Sequence, residues 1–152
     1  MQAFEQRPLT AGEIGLARSL FGDAVDWKVI CVRQAPPLPG LAAFVPLGRA
    51  IVFSRWRARR DFSDADILEQ GWFAHELAHV WQAERGVVLA LAKLKALSAR
   101  AYRYERGKAF AAYNIEQQAE IARHLFLARA GEPAAGAPAR EWLEEVWREA
   151  SR

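Results

Sequence analysis

Two of the chain's three histidines stand four residues apart in "GWFAHELAHVWQAERG", residues 71–86, with a glutamate directly after the first. His75-Glu76-Leu77-Ala78-His79 is an H-E-x-x-H pattern. On a helix, positions i and i+4 lie about 40° apart, so His75 and His79 project side by side. Two imidazole nitrogens placed in this way can meet one Zn²⁺ at about 2.0–2.1 Å each. Glu76 then faces the open side of such an ion, where a carboxylate can take a proton from a water whose pKa zinc lowers toward about 7. The chemistry these residues offer is metal-assisted hydrolysis, with Glu76 as general base.

The motif has to sit on a buried helix, and its flanks agree: Phe73, Ala74, Leu77, Ala78, Val80 and Trp81 are all uncharged. Trp72 and Trp81 read as core aromatics of that helix. A buried imidazole needs a partner for its polar nitrogens, and a metal supplies one. Catalytic zinc sites use three protein ligands and keep one position open. A histidine six residues after His79 would make the metzincin pattern, but Arg85 stands there. The third ligand is open among Glu116, Glu120 and His124, all within "NIEQQAEIARH". Glu116 and Glu120 share a helix face, and a ligating histidine normally needs an acceptor on its other nitrogen.

The positioning elements follow from local signals. Thr10 and Glu13 have capping-box spacing, and the stripe Ile14, Leu16, Ala17, Leu20, Phe21 runs to Gly22, which predicts a helix over 10–21. "DWKVICVRQ" alternates like a strand, with Trp27, Val29 and Cys31 on one face and Lys28, Ile30 and Val32 on the other. "APPLPG" is a loop, because prolines break both ladders and helices. "LAAFVPLG" and "RAIVFSR" pair as strands joined near Leu47-Gly48. The metal helix is expected over about 64–85, starting after Ser63 and stopped by Gly86. "VVLALAKLKALSAR" continues as a second helix or an ordered crossover, and "AYRYERGKAFAAY" is irregular and aromatic. Asn114 caps a helix over about 114–130 that Gly131 closes. A final amphipathic helix over about 139–150 carries Trp142, Leu143, Val146 and Trp147 on one side. Helix, strands, then helices without an internal repeat imply one α+β domain over 1–152, with a small antiparallel or mixed sheet before the metal helix.

Composition sets outer limits. The 152 residues are 52% hydrophobic and 26% charged, an ordinary balance for a globular chain. No apolar run approaches the roughly 20 residues of a membrane span. "MQAFEQRPLTAGEIG" lacks the layout of a signal peptide, so the expected location is the cytoplasm, with export through a specialised secretion machine compatible. The single cysteine, Cys31, excludes an internal disulfide and a cysteine-based zinc site, and reads as a small packed residue. The net charge of +3 is mild, with basic clusters at Arg55, Arg57, Arg59 and Arg60 and around Arg100 to Lys108. No nucleic-acid module pattern accompanies them, so they read as solvated faces and nucleic acid is not an expected partner.

An H-E-x-x-H helix followed some tens of residues later by E-x-x-x-[D/E] is the layout of the gluzincin metallopeptidases, and "HELAH" followed by "EQQAE" resembles it. The combination "F-x-H-E-x-x-H-V-W-Q" with "Y-N-I-E-Q-Q-A-E-I" also resembles small bacterial Vgr-related proteins and, more loosely, peptidase-like domains beside contractile injection systems. The likeness covers roughly residues 8 to 130. It implies a zincin-like fold, one Zn²⁺ held by His75, His79 and Glu116, and Glu120 as the group that orients a ligand histidine. His124 stands as an alternative ligand or a histidine beside the site. Tyr113 and Tyr104 are candidate phenols for steadying an oxyanion. Zincins also bind substrate backbone along an edge strand, for which Ala50 to Ser54 is the candidate. The implied function is a zinc metallopeptidase acting on a peptide or protein, linked to a bacterial secretion or phage-tail-like system. The alternative is a zincin-fold binding or assembly module without turnover, because the chain is short of the second lobe with which large gluzincins wall their cleft.

Overall fold

The Thr10 hydroxyl accepts a hydrogen bond from the Glu13 backbone and the Glu13 carboxylate accepts one from the Thr10 backbone, so the chain's first helix opens on the capping box its sequence spells. The structure, a computed structural model, describes residues 5–35, 43–45, 48–96 and 101–152. These form a four-stranded mixed sheet and five α-helices, an α+β arrangement. In chain order the elements are β1 (Gln6–Pro8), α1 (Ala11–Phe21), β2 (Cys31–Ala35), β3 (Ala43–Phe44), β4 (Ala50–Ser54), α2 (Ile67–Glu84), α3 (Leu89–Lys95), α4 (Ile115–Arg129) and α5 (Arg140–Ala150).

The sheet runs β1-β2-β4-β3, with β2 and β4 parallel and both outer pairs antiparallel. Ala50–Ser54 is therefore an inner strand, paired on both sides, and not the edge strand expected of it. The short β3 takes the edge, its Ala43 and Phe44 set against Phe53 and Val52. The strand expected from Asp26 starts only at Cys31. Before it, Asp26 accepts from the Lys28 backbone and the Trp27 indole donates to the Gly22 carbonyl, so Trp27–Val29 wind into a 3₁₀ turn that leaves Val29 exposed. "APPLPG" lies almost wholly outside the described residues, as do Leu47 and residues 97–100 at the end of "VVLALAKLKALSAR".

Glu13 does more than cap. Fully buried, it takes two hydrogen bonds from Arg7 at 2.7 and 2.8 Å and one from the Phe62 backbone at 2.9 Å. A buried carboxylate requires this degree of satisfaction. One side chain thereby ties β1, α1 and the segment before α2 together.

The metal helix begins later than Ser63. Asp66 is its N-cap and accepts from the Glu69 backbone, while Ser63 is drawn to Asp61. Aromatic clusters hold α2. Phe73 stacks on Phe62 at 4.6 Å, and Phe62 meets Phe53 of β4 at 4.5 Å. Trp81 packs against Phe21, Phe110 and Trp147. Burying Phe73 contributes roughly 1.5–3 kcal/mol. Gly71 lets α4 approach α2 closely, since a Cβ there would lie 3.0 Å from Leu127 Cδ2.

Asn114 and Gln117 form a second capping box at the start of α4, and Gly86 and Gly131 follow α2 and α4 with positive φ. Leu143, Val146 and Trp147 of α5 are buried against the body, whereas Trp142 is half-buried over Tyr104. Trp72 departs from expectation. It lies on α2 but is 43% exposed, not in the core.

Candidate metal centre

His75 and His79 face one another on α2, ring centroids 5.0 Å apart. The capped first turn of α4 carries Glu116 to them, its Oε2 3.2 Å from His75 Nε2 and 3.3 Å from His79 Nε2. One ligand atom from each of the three residues lies within 4.8 Å of the other two, and all three side chains are buried. Lys93 of α3 stands 3.7 Å from the other oxygen of Glu116, so the two carboxylate oxygens face different partners.

The outer nitrogens of the two imidazoles fix which atoms point inward. Glu120, one turn after Glu116, places Oε1 2.8 Å from His75 Nδ1. Gln82 places Oε1 2.8 Å from His79 Nδ1. The Gln82 amide nitrogen donates to the Ile115 carbonyl at 2.9 Å and to Gln118 at 3.0 Å, so its oxygen must face His79. His79 Nδ1 therefore carries the proton and Nε2 presents a lone pair. That Nε2 is buried without a hydrogen bond, opposite a carboxylate oxygen that also only accepts. Two inward Nε2 atoms, that of His75 once it gives up the proton it holds without a metal, and one carboxylate oxygen are what a divalent cation takes, and the residues fit a metal ion. Glu76 is buried beside them, its Oε2 without a hydrogen-bond partner among the described residues.

Charges follow this arrangement. Burial opposes a charged His75, but hydrogen bonds to Glu116 and Glu120 outweigh it, and with no metal bound its pKa is pushed from 6.5 up to about 9. Burial likewise raises Glu116, yet its contacts with His75 and His79 hold it well below the usual carboxylate range. Glu120 is also lowered, burial being overcome by His75, Arg123 and His124. His124 is lowered chiefly by burial. It does not join the three converging ligand atoms. It sits 3.5 Å from Glu120 and hydrogen-bonds the Tyr104 hydroxyl.

The phenols sort differently from expectation. The Tyr113 hydroxyl donates to the Glu105 carbonyl and that of Tyr104 engages His124, so both are occupied away from the inward atoms. Tyr102 faces the cluster instead, its ring 5.9 Å from His75. Burial, and then the charges of Glu116, Glu76 and Glu120, push its hydroxyl pKa up and keep it protonated. Sequence reading passed over Tyr102 because an irregular segment gives no periodicity from which to place a side chain. It also passed over Gln82 and Lys93, although Gln82 gave a signal as an amide three residues past His79 on an apolar helix.

The remaining candidates lie elsewhere. Arg85 donates to the Ala150 carbonyl and covers Trp81, anchoring α5. Arg59 pairs with Glu69, and Arg55, Arg57 and Arg60 are exposed. Cys31 is half-buried, and burial raises its thiol pKa. Among the described residues, no helix is long and apolar enough to cross a membrane.

No family model matches the sequence. The chain is 35% identical over 131 residues to the type VI secretion system spike protein VgrG2b of Pseudomonas aeruginosa, an alignment covering 80% of this chain and 13% of that protein. It therefore spans only a small part of that relative's length. The solved effector domain of P. aeruginosa VgrG2b superposes with a TM-score of 0.70 at 33% identity, covering 98% of this chain and 86% of that one.

Proposed function

This chain belongs to the family of the VgrG2b effector domain, and we propose that it is a zinc-dependent hydrolase, a metallopeptidase of gluzincin type on a single zincin-like domain. The observation that carries this reading is the convergence of His75 Nε2, His79 Nε2 and Glu116 Oε2, with the unpartnered carboxylate oxygen of Glu76 beside them. His75, His79 and Glu116 would hold one Zn²⁺. When bound, zinc supplies Lewis acidity, polarising a carbonyl and bringing the pKa of water toward about 7.

The protein's own groups do the rest. Glu76 takes a proton from the attacking water as the new C–O bond forms at the carbonyl carbon, then delivers it to the amide nitrogen as the C–N bond breaks. Tyr102, held protonated, donates a hydrogen bond to the carbonyl oxygen as negative charge gathers there. Glu120 and Gln82 keep both imidazoles in the tautomer that points Nε2 inward.

The substrate is a peptide or protein. The kinship with a secretion-system effector domain supports a protein made in the cytoplasm and delivered by a type VI machine. The test is elemental analysis combined with cleavage of an unstructured polypeptide such as denatured casein. One zinc per chain with chelator-sensitive cleavage is expected. Stoichiometric zinc without cleavage would replace this reading with that of a metal-stabilised binding module.

A further inference from the structure

Leu68, Trp72, His75 and His79 occupy positions i, i+4, i+7 and i+11 of α2 and so form one stripe along the helix. Exposure rises steadily along it toward the N-terminus, from 1% at His79 and 2% at His75 to 43% at Trp72 and 58% at Leu68. The metal face of α2 therefore closes at the His79 end and opens at the Leu68 end. Tyr102, 49% exposed, stands over the opening with its ring 5.9 Å from His75, while that of Trp72 is 5.7 Å away.

The Trp72 wall is braced by Arg123. The Arg123 guanidinium stacks on its ring at 4.3 Å and donates to Glu120 Oε2 at 3.0 Å. That cation is engaged on two sides and Lys93 is paired with Glu116, while the exposed side chains of the stripe itself, Trp72 and Leu68, are aromatic and aliphatic. Large exposed apolar side chains grouped at a site of converging polar groups mark a ligand surface.

We infer that Trp72, Leu68 and Tyr102 form a subsite for one bulky apolar side chain of a peptide, next to the bond presented to Glu76. This rests on the hydrolase reading for the identity of the bond, and on the exposed stripe for the side chain. A preformed apolar wall discriminates such a side chain from glycine by about ten- to a hundredfold.

The test needs no turnover. Zinc-loaded Glu76→Gln protein is titrated calorimetrically with two blocked pentapeptides, alanine throughout except for a central phenylalanine or glycine. The phenylalanine peptide is expected to bind at least about tenfold more tightly. Trp72→Ala in the same background should erase the difference while zinc content stays at one per chain, and Trp72→Phe should retain most of it. Equal binding of the two peptides, or a preference that survives Trp72→Ala, overturns the subsite. So does a dimer of the parent protein that Trp72→Ala dissolves, since the wall would then belong to a second copy. Selective binding without casein cleavage by the unmutated protein would sink the hydrolase reading alone. Cleavage without selective binding would sink the subsite alone.

Discussion

His75 and His79 stand one helical turn apart and aim the same atom at the same point, yet the protein holds them in different ways. His75 is backed by the carboxylate of Glu120, which Arg123 and His124 approach in turn, and it lies under the half-exposed rings of Trp72 and Tyr102. His79 is backed by a neutral amide, Gln82, locked to the Ile115 carbonyl and Gln118 at the closed end of the stripe. A carboxylate behind an imidazole fixes its tautomer and raises its basicity, whereas an amide does only the first. The open side of the site is thus the charged and titratable side, and the closed side is a fixed support.

Several substitutions test this asymmetry. The largest effect is expected at the open side, from Tyr102→Phe. Removing one donor to a developing oxyanion costs about a hundredfold to a thousandfold in kcat, with zinc content unchanged, as steady-state kinetics on a fluorogenic peptide would show. Glu120→Gln makes both histidines amide-backed and is expected to weaken zinc binding about ten- to a hundredfold in chelator competition. Gln82→Ala should fall at the lower end of that range in zinc affinity. It should also lower stability by about 1–3 kcal/mol, because the buried Nδ1–H of His79 is left without its acceptor. If Gln82→Ala cost more zinc affinity than Glu120→Gln, the asymmetry would be reversed.

A further effect, read in stability alone, is a dependence on pH in metal-stripped protein. His75 holds its proton more tightly folded than unfolded, with a pKa of about 9 against 6.5. The resulting stability is fully present below pH 6.5 and is lost as pH rises through about 9. The thermal midpoint of stripped protein should therefore decline across that window. The zinc-loaded protein should not show this decline, because the ion has already displaced the proton. A stripped protein with a flat profile would remove the charge asymmetry from the account.

The helical half of the site was legible in the sequence because helical information is local. The i, i+4 spacing of His75 with His79 and of Glu116 with Glu120, the Asn114 cap and the glycine stops all act within one or two turns. The resemblance added the pairing of the two helices, which no single helix encodes. The sheet was less legible. The parallel pairing of β2 with β4 joins residues far apart in sequence, and it made an inner strand of Ala50–Ser54. The Asp26 side chain and the Trp27 indole overrode an alternating pattern to make a turn. Trp72 was misplaced because a tryptophan on an apolar helix reads as core, and only the packing of α4 shows that its ring meets Arg123 and solvent. Tyr102 lies in a segment whose course depends on tertiary contacts.

The central claim is that Glu76 moves the proton in a hydrolysis at the site that His75, His79 and Glu116 build. Its most direct test is a paired measurement on Glu76→Gln, zinc per chain and peptide cleavage in the same preparation. The account predicts one zinc per chain and no cleavage above background. A variant that keeps its zinc and cleaves at the unmutated rate would contradict it.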